Sequence, residues 1–185
     1  MDPANESKDA QGETRIELVD PAAYRRRLFE RVGERDPVSI LEETPAALAA
    51  LVRGVETDEL RRCPAPGKWS VLEVIGHLVD TEWVFGHRAR AILSDERPAI
   101  VGIDQDRWVA KLAHGDADPT RLLEDFTTLR TLNARFWRSV DAADLDRVGL
   151  HDERGEEALG TMLRMCAGHD LHHLEQIGRM LDAKF

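Results

Sequence analysis

The fold class of this chain is decided by residues 70–93, which read SVLEVIGHLVDTEWVFGHRARAIL. Ser70 and Glu73 occupy the positions of a capping box, in which each side chain satisfies a backbone N–H at the start of a helix. The apolar residues that follow recur every three or four positions, which is typical of a helix with one buried face. The stretch therefore predicts a long amphipathic helix that begins at Ser70 and ends near Leu93.

The same spacing of apolar residues predicts three further long helices. They cover approximately residues 37–55, 118–140 and 158–181. Asp118 is the expected N-cap of the second of these helices, with Pro119 at its first position. A shorter helical pattern begins at Pro21. Because proline lacks the N–H that a helix interior needs, Pro45 predicts a break or kink around residues 43–44.

Four long amphipathic helices predict an all-α four-helix bundle with an additional helix or tail at its N-terminal side. Residues 1–19 are polar and poor in aliphatic side chains, which predicts a disordered tail. Residues 20–185 have the length of one domain. The segments between the helices are interpreted as polar loops, including the acidic run 104–108 and the connection 141–156, because neither shows the alternation of a strand.

The composition excludes several classes of partner. The chain has 185 residues and a net charge of −10, which argues against a nucleic-acid partner, since phosphate backbones require a basic surface. We expect no membrane partner, because no stretch approaches the apolar length of a membrane span and the N-terminus lacks the apolar core of a signal peptide. Cys63 and Cys166 form no disulfide framework, which favours a cytoplasmic location.

Seven histidines are present, and three of them fall within GHDLHHLEQ at residues 168–176. His169 and His173 lie one turn apart on one helix face, a spacing at which two imidazoles can bind the same cation. Gln176 shares that face, whereas His172 is rotated to its flank and suits a supporting role. The alternative interpretation is that His169 and His173 are ordinary helix residues.

A metal centre in a helix bundle usually takes its remaining ligands from a facing helix. His77 is the best candidate, because it lies on an otherwise apolar face and follows Gly76, which permits the close approach of another backbone or a ligand. A histidine buried in the core is the alternative for this residue taken alone. The three remaining histidines, His87, His114 and His151, are predicted to lie at the surface.

Two segments resemble the signatures of one protein family. Residues 67–78 (GKWSVLEVIGHL), followed by Asp80 and Glu82, resemble the second-helix signature of the DinB/YfiT-like superfamily. Residues 169–177 (HDLHHLEQI) resemble its second signature, an H-x-x-x-H followed by Gln-Ile. The acidic run 104–108 is similar to a loop found in many DinB-like proteins.

The resemblance covers approximately residues 37–181 and implies an up-down-down-up four-helix bundle. It also implies a divalent metal held by three histidines, which correspond by position to His77, His169 and His173. Members of the family include metal-dependent hydrolases and thiol-S-transferases that use bacillithiol, mycothiol or glutathione. Homodimers are a further expectation from the resemblance.

Three imidazoles leave coordination positions open, which is typical of a catalytic or ligand-binding site. Our leading hypothesis is a transferase that binds a low-molecular-weight thiol and acts on small electrophiles. The alternatives are a hydrolase that uses metal-bound water and a non-catalytic metal-binding stress protein. We favour zinc as the metal, although nickel and iron also suit imidazole ligands. Four residues are candidates for supporting the ligands or handling protons, namely Glu73, Asp80, His172 and Gln176.

Overall fold

The computed structural model describes residues 20–182, so the tail predicted over residues 1–19 lies outside the described part of the chain. Its α-helices are α1 (Pro21–Val32), α2 (Pro37–Val52), α3 (Thr57–Leu60), α4 (Val71–Ser94), α5 (Gln105–Lys111), α6 (Pro119–Ser139) and α7 (Leu159–Asp182). Short 3-10 turns cover His114–Asp116 and Ala142–Asp146. Within residues 20–182, no helix has the length and apolar character needed to cross a membrane.

The four long helices that the sequence predicts are α2, α4, α6 and α7. The capping box of α4 is confirmed, because Ser70 Oγ accepts a hydrogen bond from the Glu73 N–H and Glu73 Oε2 accepts one from the Ser70 N–H. Asp118 is the N-cap of α6 and accepts from the Arg121 N–H at 3.0 Å. Local signals in the sequence therefore fix where these two helices begin.

The order of apolar residues along each helix shows the direction in which it runs. One buried cluster contains Ile92, Trp137 and Met162, and a second contains Leu72 and Phe126. From its N- to its C-terminus, α2 passes from the first cluster to the second, and so does α7, whereas α4 and α6 pass from the second cluster to the first. The predicted up-down-down-up four-helix bundle is confirmed.

This topology determines where the connections run. Both α2 and α4 pack against α6 and α7, which places α2 and α4 on a diagonal of the bundle. Because α4 and α6 run in the same direction, the crossover, residues 95–118, must return along the length of the bundle. It contains α5 and the turn at His114–Asp116, both of which contact α4.

Two segments interpreted as loops contain regular structure. Asp104 accepts a hydrogen bond from the Arg107 N–H at 2.9 Å and caps α5, so the acidic run begins a helix. The bundle also carries a small sheet of β1 (Ala99–Ile100), β2 (Val148–His151) and β3 (Gly155–Ala158), in which β2 pairs with β1 in parallel and with β3 antiparallel. These elements are too short to produce a recognisable periodicity in the sequence.

The break expected around residues 43–44 is wrong, because α2 continues through these residues and through Pro45, whereas the alternative, a kink, stays a prediction. Pro45 has no N–H to offer the Leu41 carbonyl one turn earlier. Instead, Arg130 Nη1 of α6 donates a hydrogen bond to the Leu41 oxygen at 3.0 Å. A side chain from a neighbouring helix thus satisfies the acceptor that proline leaves open.

Arg130 is also the centre of a buried ionic layer between the two apolar clusters. Its guanidinium donates to both carboxylate oxygens of Asp170 on α7 and, at 2.8 Å, to Glu82 Oε1 on α4. Asn133 Nδ2 donates to Glu82 Oε2 at 3.0 Å. Burial alone would lower the pKa of Arg130, but the two carboxylates raise it above its ordinary value. Together with its bond to Leu41, this single side chain ties all four bundle helices together.

Candidate metal centre

The structure brings together the three histidines that the sequence singles out. His77 comes from α4, and His169 and His173 come from successive turns of α7. The Nε2 atom of His169 lies 3.0 Å from Nε2 of His77 and 3.0 Å from Nε2 of His173. All three side chains are buried, and their candidate ligand atoms lie within 4.8 Å of one another. The residues could therefore hold a metal ion, and their role as ligands stays a prediction.

The donor atoms suit a divalent cation. Burial, followed by the neighbouring histidines, holds the pKa of His77 and of His169 well below the ordinary value, so both imidazoles are neutral. His173 Nδ1 donates to Gln176 Oε1 at 2.7 Å, which leaves a lone pair on its Nε2. A proton on His169 Nε2 could not point at both of its neighbours, whereas a cation can accept lone pairs from all three nitrogens.

Aromatic rings lie beside two of the three histidines. The ring of Trp69 lies 4.9 Å from that of His77 between centroids, and the ring of Phe85 lies 6.2 Å from that of His169. Apolar neighbours of this kind lower the local dielectric constant, which strengthens electrostatic interactions at the centre.

The prediction that His114 lies at the surface is wrong. Its ring packs directly on Gly76, the residue before His77, and its Nε2 lies 2.8 Å from Asp80 Oδ2. A Cβ atom at position 76 would lie 2.1 Å from Cγ of His114. The expected close approach at Gly76 is therefore made by a side chain of the crossover, which the sequence could not indicate.

We expect Gly76→Ala to destabilise the protein by about 1–3 kcal/mol, because the added methyl group displaces His114 from its contact with Asp80. Chemical denaturation measures the change. Gly178→Ala on α7 is the matched control, since its nearest neighbour would be Leu51 at 4.0 Å. The control should be neutral or stabilising by up to about 1 kcal/mol, because alanine favours the helix. Equal stability of the two variants would contradict the packing at Gly76.

The four predicted supporting residues have different surroundings. Gln176 contacts His173 as described, and the ring of His172 lies 4.9 Å from the ring of His173 and is buried. Asp80 is paired with His114, and Glu73 serves the N-terminal cap of α4. These positions favour Gln176 as the residue that orients a candidate metal-binding side chain, the imidazole of His173.

A cavity of about 480 Å³ lies beside the three histidines and reaches His169. It lies between α1, α4, α7, the crossover and the turn between β2 and β3, and Phe85, Arg88 and Met165 contribute to its walls. His151 also lines it and is buried, so its predicted surface location is wrong, whereas His87 is exposed as predicted. The volume is typical of a site for a small molecule.

An up-down-down-up helical bundle with three converging histidines beside a cavity defines a class of bundle proteins with the means to hold a metal. The sequence assigns the chain to one family within that class. A sequence model of the DinB superfamily matches residues 40–177, and the chain belongs to this superfamily.

Relatives of the chain carry names that refer to metal-dependent hydrolysis. A Bacillus mycoides protein named "Putative metal-dependent hydrolase" is 26% identical over 139 residues, which cover 74% of this chain and 79% of the relative. A Geobacillus thermodenitrificans protein with the same name is 26% identical over 173 residues, covering 88% and 95%. YfiT from Bacillus subtilis has a solved structure and is described as a probable metal-dependent hydrolase with an unusual four-helix bundle topology. This chain superimposes on YfiT with a TM-score of 0.73 at 26% sequence identity. The superposition covers 78% of this chain and 83% of YfiT.

Proposed function

We propose that the chain is a metal-dependent transferase that joins a low-molecular-weight thiol to a small electrophile. The three histidines would hold one divalent cation, for which zinc is our first choice. When bound, such a cation acts as a Lewis acid and lowers the pKa of a thiol or water molecule that reaches it. The observation that carries the proposal is a small-molecule cavity that ends at His169, one of the three converging histidines.

The carboxylates within one turn of His77 and beside His169 along the helices favour a thiol over water as the nucleophile. Activating water for hydrolysis usually requires a general base within hydrogen-bond reach. Glu73 and Asp80 lie within one turn of His77, but they are engaged by Ser70 and His114, respectively. Asp170, which follows His169, is held by Arg130 and Thr44. A thiol is more acidic than water and has less need of a base.

The residues of the site have separate tasks in this proposal. Gln176 holds the ring of His173 in the tautomer that presents Nε2, and Trp69 and Phe85 pack beside His77 and His169. The cavity positions the electrophile next to His169. Hydrolysis is the alternative function, and the names of the relatives support it.

A thiol and substrate panel tests the proposal. The zinc-, nickel- and iron-loaded protein is mixed with cysteine, glutathione, bacillithiol or mycothiol and a chlorodinitrobenzene-type electrophile, and the thioether product is measured. We expect product formation with at least one thiol to exceed the uncatalysed rate by at least about a hundredfold, since nucleophile activation and proximity each contribute factors of this size. Activity on nitrophenyl esters without thiol, and no thioether with any thiol, would replace the proposal by the hydrolase alternative.

A further inference from the structure

We infer that the inner wall of the cavity beside His169 binds a carboxylate group of the small-molecule substrate, through Arg88 and His151. The inference rests on the proposed function for the reacting end of that substrate. The inference adds the chemical class of that substrate, which is a small carboxylic acid. Its carboxylate and its reacting atom would be separated by a few bonds.

Arg88 supplies a buried positive charge to the cavity. It is only 7% exposed, and its Nη2 donates to the backbone oxygen of Val101 at 2.5 Å. Among residues 20–182, no carboxylate oxygen lies within ion-pair distance of this guanidinium. Arg154 lines the same cavity, but its charge is compensated by Glu157 at 2.8 Å. A buried cation without a counter-ion is costly, and a bound anion offsets that cost.

His151 supplies an unsatisfied hydrogen-bond donor to the same wall. It is 3% exposed, and within the described part of the chain its Nε2 has no hydrogen-bond partner. Its Nδ1 accepts from the backbone N–H of Glu153 at 3.2 Å. Asp152 Oδ1 also lies 3.1 Å from this Nδ1 and accepts a hydrogen bond from the Gly102 N–H. Because a backbone N–H can only donate, the Glu153 contact makes Nδ1 the acceptor. The proton of the neutral ring is therefore on Nε2.

Burial, followed by the charges of Arg154 and Arg88, lowers the pKa of His151 to about 4, which keeps the ring neutral at physiological pH. Arg88 and His151 both line the cavity. A guanidinium and a neutral N–H donor on one wall together suit the two oxygens of a carboxylate.

Four carboxylates line the cavity, and three of them lie away from its interior. Asp104, Asp152 and Glu153 are exposed at its rim, where salt screens their charge, whereas Asp106 is half-buried. Asp104 and Asp152 also accept hydrogen bonds from the N–H groups of Arg107 and Gly102. Most of the carboxylates are thus at the rim, and the buried wall formed by Arg88 and His151 favours a ligand that directs its own carboxylate inward.

Direct binding of unreactive probes tests the inference in the zinc-loaded full chain. S-methylcysteine carries a carboxylate and an amine, 3-(methylthio)propanoate carries the carboxylate alone, and 2-(methylthio)ethylamine carries the amine alone. Calorimetry should show that both carboxylate probes bind at least about tenfold more tightly than the amine, because hydrogen bonds to charged groups contribute this much. Equal or tighter binding of the amine would overturn the inference.

Three variants then assign the effect to the wall. Arg88→Gln should weaken binding of the carboxylate probes by about ten- to a hundredfold. His151→Asn keeps an acceptor for the Glu153 N–H but loses the Nε2 donor, and we expect about a three- to tenfold loss, whereas His151→Gln restores a donor and should recover part of it. Arg107→Gln removes an equal charge from the exposed face of α5 and is the control, with unchanged affinity expected.

The inference and the proposed function can fail independently. Carboxylate affinity that survives both Arg88→Gln and His151→Asn in folded protein would exclude this wall, whatever the thiol panel shows. Selective carboxylate binding without any thiol transfer would keep the wall and reject the transferase. The zinc content of each variant, which should stay at the wild-type level, shows whether the histidine centre is intact.

Discussion

Replacing His77 by alanine is expected to lower the affinity of the protein for zinc by more than about a hundredfold, since even loss of a residue that only orients a ligand costs 10–100-fold. His77 is the ligand candidate from α4, and its Nε2 faces His169 Nε2 at 3.0 Å. Without it, the two histidines of α7 alone would have to retain the ion. Elemental analysis after reconstitution should fall from about one zinc per wild-type chain to less than about 0.2 in the variant.

His87→Ala is the matched control for this experiment. It removes an imidazole from the same helix, but His87 is exposed, so its zinc content should equal that of the wild type. A His77→Ala protein that retains full zinc content and affinity would remove His77 from the ligand set. Failure of the wild-type protein to bind zinc, nickel or iron after reconstitution would remove the metal centre altogether.

Arg130→Ala is expected to reduce the free energy of unfolding by about 3–5 kcal/mol, because it leaves buried charges without their partner. Asp170 and Glu82 would both lose the guanidinium that compensates them, and the Leu41 carbonyl beside Pro45 would lose its donor. This loss is a large part of the stability of a typical domain. Urea unfolding followed by circular dichroism measures it.

Arg138→Ala provides a matched control on α6. Arg138 also pairs with two carboxylates, Asp36 and Glu42, but these pairs are exposed to solvent. Exposed ion pairs contribute little because water and salt screen them, so the control should lose only a small fraction of what Arg130→Ala loses. Similar losses in both variants would mean that burial does not determine the contribution of the Arg130 layer.

The sequence predicts the features of this protein that depend on local order along a helix. The caps at Ser70 and Asp118 and the apolar periodicity indicate the bundle helices, and the i, i+4 spacing of His169 and His173 places two imidazoles on one face. The position of His77 on an apolar helix face makes it the best candidate for the third metal ligand. The structure adds the distances between the three nitrogens, while their role as metal ligands awaits measurement.

Features that depend on contacts between distant segments could not be predicted in this way. His114 and His151 occur in polar segments, yet each is buried because the crossover and the strand β2 pack onto α4 or the cavity. The continuity of α2 through Pro45 likewise depends on a side chain from α6. One signal was available in the sequence, since Gly76 indicated that some group approaches α4 closely, but it could not identify His114 as that group.

The parallel arrangement of α4 and α6 has an evolutionary consequence. Residues 95–118 must traverse the bundle to join these helices, and on the way they supply part of the cavity wall and the His114 contact at Gly76. The three histidines, by contrast, all stand on the bundle helices. Residues 102–106 of this segment line the cavity, so substitutions there can alter the cavity wall while the helices that carry the three histidines stay the same. The topology therefore lets part of the cavity wall vary independently of the helices that carry the three histidines.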